Sequence, residues 1–278
     1  MGARGVAVVI EDNDDVRAAL AEVFRQSGFA VHPASSGSEG LARVVEHTPD
    51  IVTIDIGLPD FDGLEASRRI RTFSDAYVII ISGRTDEADA LMGFEAGADD
   101  YLTKPFRSRE LKARIKAMFR RPRRIDRGFG EHPSPVLHGR GHATHDREDA
   151  DMLTAPRVAV DAHALPAVQA DGSAFAHKGL TLHEGTRQAA IDGVPVGLTR
   201  SQFDILLVLM ESGRTIQTKA DLVRRLRNEP YNTGSFVSAK EERAMEVHIS
   251  NLRKRLGENP RRPRWVETVH GVGYRMTP

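Results

Sequence analysis

Between residues 4 and 121, five short apolar runs (residues 6–10, 30–33, 51–54, 78–81 and 101–102) alternate with longer stretches of helical period. The stretch DDVRAALAEVFRQSG is representative: Val16, Leu20, Val23 and Phe24 recur at helical spacing, and Gly28 suits a C-terminal stop. Ser36 with Glu39 reads as a capping box opening the next helix. Five strand–helix units in this order leave few alternatives, because each crossover returns the chain parallel to the preceding strand and on a fixed hand. The expectation is a parallel sheet covered by helices on both faces.

The ends of those runs carry unexpected chemistry. The first is followed by Glu11 and Asp12, the third by Asp55, the fourth by Ser82, and the fifth by Lys104 and Pro105. In a parallel open sheet the carboxyl ends of the strands share one rim, where ligands bind. Three carboxylates brought together there repel one another and raise one another's pKa, unless a divalent cation and an ammonium group offset them. Hard oxygen donors suit Mg²⁺, and Lys104 suits a phosphoryl oxygen. Pro105 restricts the backbone of Lys104 to extended forms that aim it at the rim.

A length of 278 residues with 40% hydrophobic residues fits two domains with separate cores. The zero net charge hides an asymmetry: residues 1–121 carry 16 basic and 20 acidic side chains, residues 122–178 carry 7 and 8, and residues 179–278 carry 16 and 11. A basic C-terminal part points to nucleic acid. The longest apolar run, residues 205–210, is far too short to span a bilayer, and no membrane association is expected. The start lacks a signal-peptide or myristoylation pattern, and with no cysteine the chain reads as cytoplasmic.

The segment 122–178, rich in Pro, Gly, His and charge, lacks apolar periodicity and reads as a long disordered linker. His138, His142 and His145 would share a face in a helix, which suggests a metal site. Gly139 and Gly141 oppose a helix there, and a solvated tether is the better reading. From residue 179 order is expected again. Asp192-Gly193 suits a hairpin turn, and Thr199 with Gln202 opens a helix on Phe203, Leu206, Leu207 and Met210. A second helix follows Thr218. A third begins at Ser238 with Glu241, runs on Met245, Ile249, Leu252 and Leu256, and stops at Gly257. Two short strands around Gly271 and Gly273 close the pattern. Three helices and a terminal hairpin make a winged helix-turn-helix.

The segments IEDNDD, TIDIGLPDFDG, IIISGR and GADDYLTKPF together resemble a response-regulator receiver domain. The tail LTRSQFDIL…RAMEVHISNLRKRL…VETVHGVGYR is similar to the effector domain of the OmpR/PhoB subfamily. The implied architecture is an α/β flavodoxin-like (βα)5 receiver over residues 1–121, a flexible linker over 122–178 and an α+β winged-helix DNA-binding domain over 179–278. The implied function is a transcriptional regulator of the bacterial cytoplasm, not a dedicated enzyme. A sensor histidine kinase would phosphorylate Asp55, promoting receiver dimerisation and binding to double-stranded promoter DNA.

The same resemblance assigns roles. Glu11, Asp12, Asp55 and the Gly57 carbonyl would hold Mg²⁺, Lys104 would neutralise the phosphoryl group, and Ser82, where Thr is more usual, would bond it. Tyr101 would be an aromatic switch moving with Ser82. In the third effector helix Val247, His248 and Asn251 would lie toward the major groove, with Arg243 and Arg253 on phosphates or bases. His270 would enter the minor groove where Arg is common. Across a receiver dimer Asp100 would pair with Arg114 and Asp99 with Arg121, while Glu110 would lack its basic partner because Met92 stands there. The loop before the third effector helix would touch RNA polymerase or serve only as a connector. The sequence opposes two other readings of the acidic rim. A haloacid-dehalogenase-type phosphotransferase needs a second Asp where Gly57 stands, and a degenerate pocket is opposed by the intact Glu11, Asp12, Asp55 and Lys104.

Overall fold

A computed structural model describes residues 4–119, 174–227 and 236–278 of the chain. The N-terminal part alternates β1 (Gly5–Ile10), α1 (Asp14–Gln26), β2 (Phe29–Ala34), α2 (Gly37–His47), β3 (Ile51–Asp55), α3 (Gly63–Ile70), β4 (Tyr77–Ser82), α4 (Glu87–Glu95), β5 (Asp100–Thr103) and α5 (Ser108–Phe119). All pairings are parallel, and the sheet order is β2-β1-β3-β4-β5. The period of two along each strand divides the core. Val8, Ile10, Val52, Ile54, Val78 and Ile80 pack with α2, α3 and α4 on one face. Ala7, Val9, Ile51, Ile79 and Ile81 pack with Leu20, Phe24, Leu111 and Ile115 of α1 and α5 on the other. Strands buried on both faces explain why the sequence shows continuous apolar runs rather than alternation.

The C-terminal part begins with an antiparallel sheet ordered β6-β7-β8-β9, comprising Ala174–His177, Leu180–His183, Gln188–Ile191 and Val194–Val196. Asp192 and Gly193, with φ of 49° and 83°, make the β8–β9 turn. Next come α6 (Arg200–Ser212), β10 (Gln217–Thr218), α7 (Lys219–Leu226), α8 (Ala239–Leu256), β11 (Val266–Val269) and β12 (Gly273–Met276). Complete capping boxes open α6 at Thr199 and Gln202, α7 at Thr218 and Asp221, and α8 at Ser238 and Glu241. Gly257, at φ 67°, closes α8. At α2, Ser36 accepts the Glu39 amide, but the Glu39 carboxylate turns to the Ser35 amide, so only half of the expected box forms.

Strand β6 lies inside the stretch read as linker, so that reading is corrected at its C-terminal end. The three linker histidines, Arg121 and most of the loop before α8 fall outside the described residues.

Candidate functional site

The carboxyl rim of the parallel sheet gathers residues distant in sequence. Glu11 and Asp12 follow β1, Asp55 ends β3, Ser82 ends β4 and Lys104 follows β5. The register sets β3 against β4, with Asp55 opposite Ile81, and β4 against β5, with Ser82 opposite Thr103. Lys104 Nζ donates to both oxygens of Glu11, at 3.0 and 2.8 Å, and to Asp55 Oδ1 at 2.6 Å. The other Asp55 oxygen accepts the Gly57 amide at 2.7 Å. The Lys104–Pro105 peptide is cis.

Glu11 is 1% exposed. Burial pushes its pKa up, the Lys104 hydrogen bond pulls it back, and the charge of Asp55 adds to the rise. Burial tends to lower the Lys104 pKa, yet hydrogen bonds to Asp55 and Glu11 leave it raised, so the ammonium stays charged. One carboxylate oxygen from each of Glu11, Asp12 and Asp55 lies within 4.8 Å of the others. Hard donors at this separation, around a glutamate whose charge is disfavoured, fit a small divalent cation such as Mg²⁺. Arg17, whose guanidinium donates to the Glu11 and Asp12 carbonyls, fixes the acidic loop and was not foreseen. Its only sequence signal is the spacing to Asp14, to which it is paired.

A short relay leaves this rim. Ser82 Oγ accepts the Arg84 amide at 3.0 Å, and the Tyr101 hydroxyl donates to the Arg84 carbonyl at 3.2 Å. Tyr101 is buried, and burial raises its hydroxyl pKa. Gly93 of α4 gives its ring room, since a Cβ at Gly93 would stand 3.0 Å from Tyr101 Cδ2.

The expected DNA-contacting residues are placed differently from one another. His270 is exposed. Val247, His248 and Asn251 lie on one side of α8, but that side rests on the receiver-like domain. Asn251 Nδ2 donates to the Phe94 carbonyl at 3.0 Å, His248 is buried with its ring 5.2 Å from that of Phe94, and Val247 packs against the receiver core. Arg243 is 2.6 Å from Glu87. Arg253, expected at phosphates or bases, points inward. It donates to the Val266 carbonyl at 2.7 Å and to Thr268 Oγ1 at 2.8 Å, and lies 3.8 Å from buried Glu258. That expectation is corrected: the inward-facing core stripe of α8 carries Arg253 with it.

The acidic residues expected at a dimer face have partners within the chain. Asp99 is buried, bonded to Arg71 and to the Val78 amide at 2.9 Å, which leaves nothing of its Oδ2 for an outer partner. Arg114 bonds Asp100 at 2.5 Å and, within its own helix, Glu110 at 3.0 Å one turn away.

Comparison with known proteins agrees with this two-part arrangement. Residues 7–116 match the response regulator receiver domain, and residues 193–276 match the family described as transcriptional regulatory protein, C terminal. The chain is 29% identical over 271 residues to the DNA-binding response regulator MtrA of Mycolicibacterium smegmatis, covering 98% of this chain and 96% of that one. It is 31% identical over 267 residues to the transcriptional regulatory protein CseB of Streptomyces avermitilis, covering 96% and 95%. Among solved structures, a RitR mutant superimposes with a TM-score of 0.64 over 98% of both chains at 18% identity, which supports the fold.

Proposed function

This chain belongs to the DNA-binding response regulators, with a receiver domain followed by a C-terminal transcriptional regulatory domain, and we propose that Asp55 is the phosphoryl acceptor through which a sensor histidine kinase controls its binding to promoter DNA. Members of this family are phosphorylation-controlled transcription factors, not dedicated enzymes. The observation carrying the assignment is the position of Asp55, one oxygen on Lys104 and the other on the Gly57 amide, beside Glu11 and Asp12.

In the proposed reaction an Asp55 oxygen forms a bond to phosphorus as the P–N bond of a phosphohistidine breaks, and the imidazole leaves with a proton. Mg²⁺, held by Glu11, Asp12, Asp55 and the Gly57 carbonyl, would supply charge neutralisation. Lys104 would shift from Glu11 to a phosphoryl oxygen, and the Ser82 hydroxyl would donate to another. Leaving Arg84, Ser82 would loosen the link to Tyr101. The receiver would then dimerise through α4, β5 and α5, and the effector domain would bind double-stranded DNA in the bacterial cytoplasm. Asn251 would hydrogen-bond adenine N6 and N7, worth about 1–3 kcal/mol at one base pair. Site selection from a random library should lose that one preference in Asn251→Ala.

Acetyl phosphate with Mg²⁺, followed by a phosphate-affinity gel, tests the acceptor. The native chain should shift, and neither Asp55→Asn nor a sample with excess EDTA should. A shift of Asp55→Asn equal to that of the native chain sinks the assignment.

A further inference from the structure

The first turn of α2 has its amide groups served from two places. The Ser36 hydroxyl oxygen accepts the Glu39 amide at 3.3 Å, while the Glu39 carboxylate is spent on the Ser35 amide at 2.8 Å. The amides of Gly37 and Ser38, which have no partner within the helix, reach Asp60 in the loop between β3 and α3. Asp60 Oδ1 accepts the Gly37 amide at 2.9 Å, and Oδ2 accepts the Ser38 amide at 2.8 Å and the Ser38 hydroxyl at 2.7 Å. The cap of α2 is thus completed by a residue 22 and 23 positions further along the chain. Burial works to raise the Asp60 pKa, but the Ser38 amide, the Ser38 hydroxyl and the Gly37 amide outweigh it and hold the carboxyl well below the usual carboxylate range. The cap is therefore charged at neutral pH, and a negative charge suits the positive end of a helix.

The two partners belong to the two halves of the acidic rim. The loop that carries Asp60 starts at Asp55 and Gly57, and it is drawn back on itself by the Leu58 and Gly63 amides, both on the Ile56 carbonyl at 3.0 Å. Helix α2 lies against the end of β1. A Cβ on Gly40 would stand 2.3 Å from Ile10 Cδ1, and Ile10 is the residue before Glu11. The strand leading into the helix holds the same segment, since the Glu11 amide donates to the Ala34 carbonyl at 3.0 Å. Beside Asp60, the Phe61 ring fills the space over Gly37, where a Cβ would meet Cζ at 2.5 Å, and the Arg69 guanidinium lies 4.6 Å from the centre of that ring. The start of α2 is therefore a spacer, with Glu11 and Asp12 fixed on one side and Asp55 and Gly57 on the other.

We propose that Asp60 is a positioning residue for the rim: by gripping the first turn of α2 it holds the segment of Asp55 and Gly57 at a set distance from Glu11 and Asp12, and thereby sets the affinity of the site for Mg²⁺ without touching the ion. This rests on the reading of the rim as a Mg²⁺ and phosphoryl site and adds to it a residue outside that site. Ligands on separate segments hold a cation only as well as those segments are preorganised, and partners outside the ligand set commonly govern affinity by about 10- to 100-fold. Asp60 is exposed, so removing its carboxylate leaves the packing on both faces of the sheet in place. What is lost is the tie between the two halves of the rim.

Isothermal calorimetry of Mg²⁺ added to the full chain reads the affinity directly, and labelling by acetyl phosphate over a range of Mg²⁺ concentrations reads it through the reaction. Asp60→Ala should weaken Mg²⁺ binding about tenfold and raise the Mg²⁺ needed for half-maximal labelling by the same factor, with labelling at saturating Mg²⁺ close to that of the native chain. Asp60→Asn, which keeps one acceptor oxygen for an α2 amide, should fall between the two. A residue that only caps α2 would lower the urea midpoint and leave both Mg²⁺ readouts unchanged. That outcome in Asp60→Ala overturns the proposal, and if circular dichroism shows that variant unfolded, the same outcome in Asp60→Asn overturns it. A native chain that takes up no Mg²⁺ overturns both the proposal and the metal reading it rests on. If Asp55→Asn is labelled like the native chain, the acceptor assignment fails, while the calorimetric comparison still decides the role of Asp60.

Discussion

Gly63 shows how tightly the phosphorylation rim is built. It opens α3 directly behind β3, and a Cβ on it would lie 2.0 Å from the Asp55 carbonyl oxygen and 2.8 Å from its carbon. Both are backbone atoms that cannot swing aside. Gly63→Ala should therefore push α3 from the strand that carries the acceptor, costing about 1–3 kcal/mol as overpacking does. Urea unfolding should show a lower midpoint and the phosphate-affinity gel slower labelling; an unchanged midpoint would mean the helix moves freely. His32 supplies a test by pH. Its ring stacks on that of His47 at 3.5 Å between centres, and burial first, then the charges of His47 and Arg43, lower its pKa while Glu46 opposes them. A histidine with a lowered folded pKa favours the neutral form, so its contribution to stability is complete above about pH 6.5 and is lost as pH falls through the folded value. The Tm should drop on acidification from about pH 7.5 to about pH 5.5. His32→Gln should reduce that drop, and an identical pH profile would dismiss the stacked pair as its source.

At the scale of elements, Arg253 holds α8 to β11. Its guanidinium bonds the Val266 carbonyl and Thr268, and the Glu258 carboxylate beside it accepts the Trp265 and Val266 amides at 2.5 and 3.0 Å. Arg253→Ala would strand a buried carboxylate, so it should cost about 3–5 kcal/mol of stability. The dependence of DNA binding on salt should stay as in the native chain, because no phosphate contact is removed. A salt slope flatter by about one unit would return Arg253 to the backbone of the DNA. The sheet β6-β9 teaches a related lesson. Lys178 and Gly179, with φ of 47° and 81°, form a turn like that of Asp192 and Gly193, so a turn signal was present. The flanking strand AFAH is too short for periodicity to separate it from the segment before it.

For the whole molecule, the contact of α8 with α4 and β5 and the proposed dimer draw on the same surface. Asp100 and Glu110 already share Arg114, and Asp99 is committed to Arg71, so rim pairs across a two-fold would each add only about 0–1 kcal/mol. Dimerisation should accordingly depend on release of that contact. Sedimentation velocity of the full chain should show monomer without phosphodonor and dimer with acetyl phosphate and Mg²⁺, with Glu87→Lys shifting partway to dimer without any donor. A native chain that stays monomeric when phosphorylated, at high micromolar concentration, counts against the dimer.

Local rules on the sequence determined the receiver almost completely. Apolar runs of strand length, helical spacing between them, capping residues and the polar group at each strand end set the parallel sheet and the convergence of Glu11, Asp12, Asp55, Ser82 and Lys104, because parallel topology forces strand ends to one rim. The three effector helices and the terminal hairpin followed from the same signals. Tertiary structure alone decided which face of each element meets which partner. Ala244, Val247, His248 and Asn251 make a mixed stripe that reads equally as a surface for solvent, for DNA or for another domain, and only contact with α4 selects among these. Arg253 and Asp99 carry charges that composition assigns to the surface, yet both are buried because hydrogen-bonding partners far along the chain surround them, and such partners are visible only once the fold has brought them together.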